Sequence, residues 1–455
     1  MNPNERNVNV MSRTKPCLSA TAGALMVGTA AIAAQPATAQ ADTTLTIATV
    51  NNVQMIEMQK LSPDFERQHP DIHLRWVVLE ENTLRQRVTT DIATKGGQFD
   101  VLTIGNYEVP IWAKQNWLAP MDNLPAAFDV DDILKPVRDG ISYNGKLYAL
   151  PFYAESVMTL YRIDLFKKAG LTMPDAPTYE QIRQFADKIT DKANQIYGIC
   201  LRGKPGWGEN MAYFATLVTA SGGQWFDTKW DTTINTPEWK AALTYYADIL
   251  KADGPPGVSS NGFNENLALF SSGHCGMWID ATSAAGTVYD KKQSQVADQV
   301  GFAAAPTGSF KGGPTWLWSW NLAIPASSKQ ADAARQFVTW ATSKEYVQLV
   351  AKTDGWVNAP PGTRASTNTP EYKAVAPFAD FVVAAINNSN PTGQTKNPRP
   401  YTGAQYVGIP EFQAIGTQVG QTVAAVLAGS NTVDQALSTA QTATARSMRQ
   451  AGYGK

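Results

Sequence analysis

TLTIATVNNVQMIEMQKLSPDFERQHPDIHLRWVVLEENTLRQRVTTDIATKGGQFDVLTIG (residues 44–105) carries the alternation that decides the fold. Three apolar runs, TLTIATV (44–50), IHLRWVVLE (72–80) and FDVLTIG (99–105), read as strands, and the stretches near 54–68 and 82–95 read as helices. Strands separated by helices predict a parallel sheet with helices on its faces. Asn51 and Asn52 follow the first strand; Asn106, Tyr107 and Glu108 follow the third. Ligands of open α/β sheets bind at the carboxyl ends of strands, which makes these residues site candidates.

Further along the chain, LYALPF and VMTLYR flank Tyr153 and Glu155, where a crossing between lobes would expose both to a cleft. From about Tyr161 to Gly286 the pattern is mainly helical, with TYEQIRQFADKIT (178–190) and PEWKAALTYYADIL (237–250) around a strand YGICL (197–201). Pro237 after Thr236 is a helix start. CGMWID (275–280) reads as a strand followed by a helix, ATSAAGTVYD. VGFAAAP (300–306) and WLWSWNLAIP (316–325) read as strands returning the chain toward the first lobe. The last third is helical: ADAARQFVTWATSKEYVQLVAK, a loop GWVNAPPGT, and two helices around 408–428 and 432–450. NNSNPTGQTKNPRP (387–400) reads as one long surface loop. No period of 20 to 50 residues recurs, which disfavours a solenoid or propeller. The expected division is 42–155 for the first part of the amino-terminal lobe and 156–310 for the carboxyl-terminal lobe. Residues 311–365 are then the return crossing with further amino-terminal-lobe helices, and 366–455 are helices packing on the lobes. Multiple crossings form a hinge over a cleft, where small-molecule sites tend to lie.

The amino end, MSRTKPCLSATAGALMVGTAAIAAQPATAQADTT from Met11, has Arg13 and Lys15 before a small-residue apolar stretch and Ala-x-Ala cleavage candidates. Residues 1–41 are therefore expected to be a secretory signal peptide, cut after Ala39 or Ala41, with Met11 as the expected start. Cys17 precedes the apolar stretch, so a lipid-anchored cysteine is not expected. Without residues 1–41 the chain keeps 35 Lys and Arg against 38 Asp and Glu. The expectation is a soluble periplasmic protein. Export permits a disulfide, and the two remaining cysteines, Cys200 and Cys275, each end a predicted strand; they are either a bonded pair or two buried thiols.

The full 455 residues predict about two or three domains. With 38 basic and 39 acidic residues there is no excess or block of charge to bind a phosphate backbone, so no nucleic-acid partner is expected. Three histidines and three cysteines do not supply a large metal cluster, and no metal or other cofactor is expected. His69 and His73 are separated by Pro70 and share no helical face, and His274 reads as solvated. The chain lacks G-x-S-x-G, Walker, G-x-G-x-x-G and H-E-x-x-H patterns. Carboxylate pairs for glycoside cleavage can be drawn from Glu108, Glu155, Glu209 and Asp280, which keeps a carbohydrate-cleaving enzyme as an alternative. A binder of a cationic solute such as a polyamine is a second, opposed by Arg202 and Lys204.

The 13 Trp, 16 Tyr and 16 Phe point to binding without turnover. A polyhydroxylated ligand needs aromatic rings for its C–H patches and planar polar side chains for its hydroxyls. LRGKPGWGEN (201–210), CGMWID, GGPTWLWSW (312–320) and DGWVNAP (354–360) each place Gly and Trp beside a polar group. Trp316, Trp318 and Trp320 alternate onto one face, of a cleft or of a core. Trp207 lies in a Gly-rich loop, where core burial is less natural. Asp280 either caps the next helix or meets ligand. Trp230, Trp239 and Trp340 sit in or beside helical patterns and read as packing residues.

TLTIATVNN, FDVLTIG, NGKLYALPFYAESVMTLYRIDLFKKAGL, F-x-S-G-x-C-G-M-W-I-D and GGPTWLWSWNLAIPASS, in that order, resemble the solute-binding proteins of ATP-driven (ABC) importers, in the branch of sugar binders. YGICLRGKPGWGENMA and CGMWIDATSAAG are most similar to sorbitol/mannitol-type polyol binders. The resemblance implies an α/β, two-lobed periplasmic binding protein of class II-like type, with hinged lobes enclosing a ligand in a cleft. It implies capture of a sugar alcohol or sugar by a monomer and delivery to the permease's transmembrane subunits, touching the membrane complex only peripherally. The family's site loops would fall at Asn51 and Asn52, Asn106 and Tyr107, Tyr153 and Glu155, Arg202, Lys204, Trp207, Glu209 and Asn210, Asp280, Trp316, Trp318 and Trp320, and Trp356. Energy would come from a separate nucleotide-binding subunit, in keeping with the missing Walker loop.

Overall fold

In the computed structural model, residues 42–310, 316–393, 395–403 and 405–454 are described. The signal-peptide reading of residues 1–41 lies outside them, as does the GGPT stretch before Trp316. The chain opens with β1 (Thr43–Val50), α1 (Val53–Leu61), α2 (Pro63–Gln68), β2 (Ile72–Leu79), α3 (Glu81–Thr94) and β3 (Val101–Gly105). β1 lies parallel between β2 and β3, in register from Thr43 opposite Ile72 to Val50 opposite Leu79. Every residue of β3 and most of β1 are buried, as expected of strands covered on both faces, while β2 at the sheet edge is half-buried. Side chains set the helix starts: Asn52 caps α1, and the Glu80 carboxylate accepts from the Asn82 and Thr83 amides to cap α3.

After α4 (Glu108–Lys114), α5 (Lys135–Gly140) and the β4 (Ser142–Tyr143)–β5 (Lys146–Leu147) hairpin comes β6 (Leu150–Glu155). Ser156 alone separates it from β7 (Val157–Arg162), yet the two strands belong to different sheets, so the chain changes lobe at this residue. The second lobe holds α6 (Ile163–Lys168), α7 (Tyr179–Ile189), α8 (Asn210–Ala220), α9 (Pro237–Asp253), α10 (Phe263–Ser271), β8 (Met277–Ala281), α11 (Ala284–Tyr289) and β9 (Val300–Ala304). α8 is apolar all round and buried along its whole length, packed on α9. Then β10 (Trp318–Ala323) returns to the first sheet, whose order is β2-β1-β3-β10-β6. α12 (Ala331–Ala341) packs on β1 and β6, followed by α13 (Lys344–Thr353), α14 (Pro370–Val375) and α15 (Ala379–Asn387), the last resting on α5 and β6. α16 (Phe412–Leu427) and α17 (Val433–Gln450) pack on the second lobe, α16 against α8 and α9 and α17 against α9.

Several expectations change. The first sheet is mixed, because β10 runs antiparallel to both β3 and β6. VGFAAAP stays in the second lobe: β9 pairs with β7 in the sheet β8-β7-β9, and only β10 makes the return. YGICL makes single bridges, Tyr197 to Cys275 and Cys200 to Trp278, instead of a strand. Its Gly198 is wedged so tightly under α7 that an added Cβ would stand 2.2 Å from the Ala186 carbonyl oxygen. The short helices α14 and α15 fall in the stretch 366–455 that was expected to be helical, but neither was placed individually from the sequence.

Candidate ligand-binding site

The carboxyl ends of β1 and β2 face the loop before α8 across a cavity of about 130 Å³. From β1 come Asn51 and Asn52. The Asn52 carbonyl accepts from the Met55 amide (3.0 Å) while its Nδ2 donates to the Tyr153 hydroxyl (2.9 Å), so the helix cap also orients a cavity tyrosine. The β10–β6 register sets Trp318 opposite Glu155 and Trp320 opposite Tyr153. Pleat alternation then turns Trp316, Trp318 and Trp320 into one wall of the cavity.

The second lobe supplies Arg202, Lys204, Trp207 and Glu209 from its Gly-rich loop, with Phe263, Asn264 and Glu265 from the start of α10 and Ser283 after β8. Trp207 reaches across to the first lobe, its ring 4.0 Å from the Arg85 guanidinium and edge-on to Trp318 at 5.5 Å between centroids. Polar contacts also join the lobes around the cavity. Lys204 pairs with Glu80 at 2.8 Å, Asn264 Nδ2 donates to the Asn51 carbonyl at 2.7 Å, and Ser283 Oγ donates to Glu155 Oε2 at 2.5 Å. The lobes are thus closed on the cavity.

Each arginine of the cavity is fixed by a carboxylate. Arg202 forks onto Asp280 through Nε (2.9 Å) and Nη2 (2.6 Å), and its Nη1 donates to the Gly208 carbonyl (2.7 Å). Burial works against the Arg202 charge, but the Asp280 charge outweighs it and holds the proton more tightly than usual. Arg85 donates from Nε and Nη2 to Glu81 Oε1 and from Nη1 to Glu108. Burial pushes the Glu155 carboxyl up to about 8, despite the Ser283 hydrogen bond. Burial and then the Glu81 charge push Glu209 up to about 8 as well; its oxygens are 3.8 Å from Arg202 and 3.7 Å from Lys204, beyond close pairing. Both are acids that can donate to a ligand hydroxyl at neutral pH.

Of the residues singled out in the sequence, Asn51, Asn52, Tyr153, Glu155, Arg202, Lys204, Trp207, Glu209, Trp316, Trp318 and Trp320 line this cavity. Asn106 does not: its amide is spent behind the wall, donating to the Leu317 carbonyl and the Tyr406 hydroxyl. Tyr107 hydrogen-bonds the Ile409 carbonyl (2.8 Å), and Asn210 braces the loop against the Gly420 carbonyl (2.8 Å). Asp280 neither caps α11 nor reaches the cavity; besides Arg202 it accepts from the Trp278 indole and the Ala281 amide. Trp356 lies after α13 against Tyr372, away from the cavity. Cys200 and Cys275 are bonded, with Cα atoms 5.8 Å apart.

The sequence reading missed Glu80, Glu81, Arg85, Phe263, Asn264, Glu265, Ser283 and Gln405, all in the lining. The strand-end rule, applied to the second strand as it was to the first and third, would have found Glu80 and Glu81. Arg85 looks like any charged position of an amphipathic helix. Gln405 has no local signal.

Two lobes, three sheet-to-sheet and helix crossings and a closed polar-aromatic cavity define a solute-binding protein of the two-lobed periplasmic type. Residues 52–348 match the family model of bacterial extracellular solute-binding proteins, and the chain belongs to that family. It is 57% identical over 426 residues to the mannitol-binding protein of Pseudomonas aeruginosa, covering 94% of this chain and 98% of that one. The crystal structure of an ABC transporter solute-binding protein from Agrobacterium vitis with bound D-mannitol superposes with a TM-score of 0.90 at 59% identity, over 90% of this chain and all of the other. A second, from Agrobacterium radiobacter in complex with ribitol, gives 0.78 at 27% identity, over 90% of this chain and 99% of that one. The family and these relatives are solute-binding proteins and not enzymes, which removes the carbohydrate-cleaving alternative. Among the described residues no helix is long and apolar enough to cross a membrane.

Proposed function

We propose that this protein captures an acyclic polyol, D-mannitol or a close relative, in the periplasm and hands it to the permease of an ABC importer. The observation that carries the reading is a set of three buried cavity atoms without a hydrogen-bond partner among the described residues: Trp207 Nε1, Trp316 Nε1 and Gln405 Oε1. Buried polar groups are ordinarily satisfied, so two donors and an acceptor left over on residues that line one cavity call for a ligand that both donates and accepts. Hydroxyls do both, and the indole faces take the C–H edges between them. The cavity is of the same order as the ~150 Å³ space that takes benzene in an engineered protein, which suits one small solute and not an oligosaccharide. The names of the mannitol-binding relative and the mannitol-bound structure support the same class. Against a polyamine, Glu80 and Glu81 are spent on Lys204 and Arg85, and burial pushes Glu155 and Glu209 up to about 8, which keeps them mainly uncharged at neutral pH.

Ligand touches both lobes only when they are closed, so its differential affinity for that state drives closure, and the permease reads the result. The exported chain acts as a monomer, with its signal peptide in residues 1–41. The test is a thermal-shift panel of mannitol, sorbitol, arabitol, xylitol, glucose, maltose and putrescine. A polyol at about 1,000 times its Kd stabilises the native state by about 4 kcal/mol. Stabilisation by putrescine alone overturns the reading.

A further inference from the structure

Every cation that lines the cavity is already paired. Lys204 is held by Glu80, Arg85 by Glu81 and Glu108, and Arg202 by Asp280, a residue the cavity does not reach. Of the remaining carboxyls in the lining, Glu155 takes the Ser283 hydroxyl, Glu265 accepts from the Gly262 amide at 2.8 Å, and Glu209 accepts from the Phe263 amide at 3.2 Å with Lys204 and Arg202 at 3.7 and 3.8 Å. A ligand that brought its own negative charge would therefore meet neutralised arginines and surplus acid.

We infer that Asp280 is a specificity-determining residue acting from behind the site: by neutralising Arg202 it makes the cavity select neutral polyols against their acid analogues. Arg202 presents its free N–H groups to hydroxyls as directed donors, while the net charge that would attract a carboxylate or phosphate ester is cancelled 2.6 Å away. Glu81 does the same for Arg85 on the opposite lobe. Trp278 and the Ala281 amide lock the Asp280 carboxylate from its far side, at 3.0 and 2.6 Å, so it does not swing into the cavity to meet ligand itself. Asp280 is thus a positioning residue whose effect is on ligand charge as well as on ligand affinity.

This inference rests on the polyol reading and is separable from it by calorimetric titration of the purified protein with D-mannitol and D-mannonate. Mannonate replaces one terminal CH2OH of mannitol by a carboxylate and is otherwise the same length. The expected result is mannonate binding roughly 100-fold or more weakly than mannitol, because its charge is buried without compensation. Asp280→Asn keeps the side-chain shape, removes the charge and should narrow that ratio about tenfold or more. A purely structural role for Asp280 would weaken both ligands equally and leave the ratio where it was. If the first variant does not fold, Glu81→Gln, which leaves Arg85 with Glu108 alone at 2.6 Å, should narrow the ratio in the same direction by a smaller factor. Wild-type protein that binds mannonate as tightly as mannitol overturns the inference and leaves the polyol function standing; so does an unchanged ratio in folded variants. Failure to bind any polyol removes the function and the inference together.

Discussion

The Arg85 guanidinium of the first lobe lies 4.0 Å from the ring centre of Trp207 in the second. Arg85 is also within 5.0 Å of the Trp318 ring and 4.7 Å of the Trp320 ring, so one side chain organises three of the cavity's four indoles. A cation on an indole face is worth more when water is excluded, as it is here. Closing the lobes brings the Gly-rich loop onto α3, and Gly208 permits the approach: a Cβ there would stand 1.7 Å from Glu81 Oε1.

Trp207→Ala removes an indole N–H, a stacking face and this contact between lobes. Affinity for mannitol should fall by about 1–3 kcal/mol, read by titration calorimetry. An unchanged Kd in a normally folded variant would assign Trp207 to packing alone.

Asp280→Ala should act mainly on stability. It leaves Arg202 buried without its carboxylate, and breaking a buried pair costs about 3–5 kcal/mol. Chemical denaturation measures the loss. A variant as stable as the wild type would mean that Arg202 relaxes to another partner.

Ligand-free stability should fall as pH rises from about 5 through about 8. Glu155 and Glu209, ordinarily near 4.5, are pushed up to about 8, so across this window the folded chain holds protons that the unfolded chain has released. Raising the pH then favours unfolding. The carboxyls held low, such as Asp132 and Asp290, lose their contribution only below the ordinary 3.8 and do not interfere. Denaturation at pH 5.5, 7 and 8.5 measures the slope, and Glu155→Gln should flatten it. A rise in stability over the window would show both acids to be ionised.

The Cys200–Cys275 bond closes a separation of 75 residues and ties the chain just before Arg202 to the chain just before Asp280. Reduction should lower stability by about 2–4 kcal/mol. It should also weaken mannitol binding, by loosening the Arg202–Asp280 pair. A reduced protein with the oxidised melting temperature would show that the surrounding core holds this register unaided.

The strands β1, β3, β8 and β10 were legible because buried strands are short runs of Val, Ile, Leu and aromatics, whatever they pair with. Direction was not legible: nothing within WLWSWNLAIP shows that β10 runs antiparallel between β3 and β6, since that depends on where a crossing enters the sheet. The tryptophan wall could be read from alternation at 316, 318 and 320. Asn106 and Tyr107 sit at the expected strand end and still face away, because their hydrogen bonds go to Leu317, Tyr406 and Ile409, residues more than 200 positions later.

From residue order alone came the alternating α/β pattern, the family resemblance, the Gly-rich loop with its tryptophan and the class of ligand. These are local: periodicity, composition and spacing are properties of neighbouring residues. Only the tertiary structure decided that Asp280 serves Arg202 instead of the ligand, that Arg85 belongs to the site, and that Gln405 completes it. Each of these depends on which side chains meet once the crossings between lobes have brought distant segments to one cavity, and a pairing between residues 78 positions apart leaves no trace in the sequence around either of them.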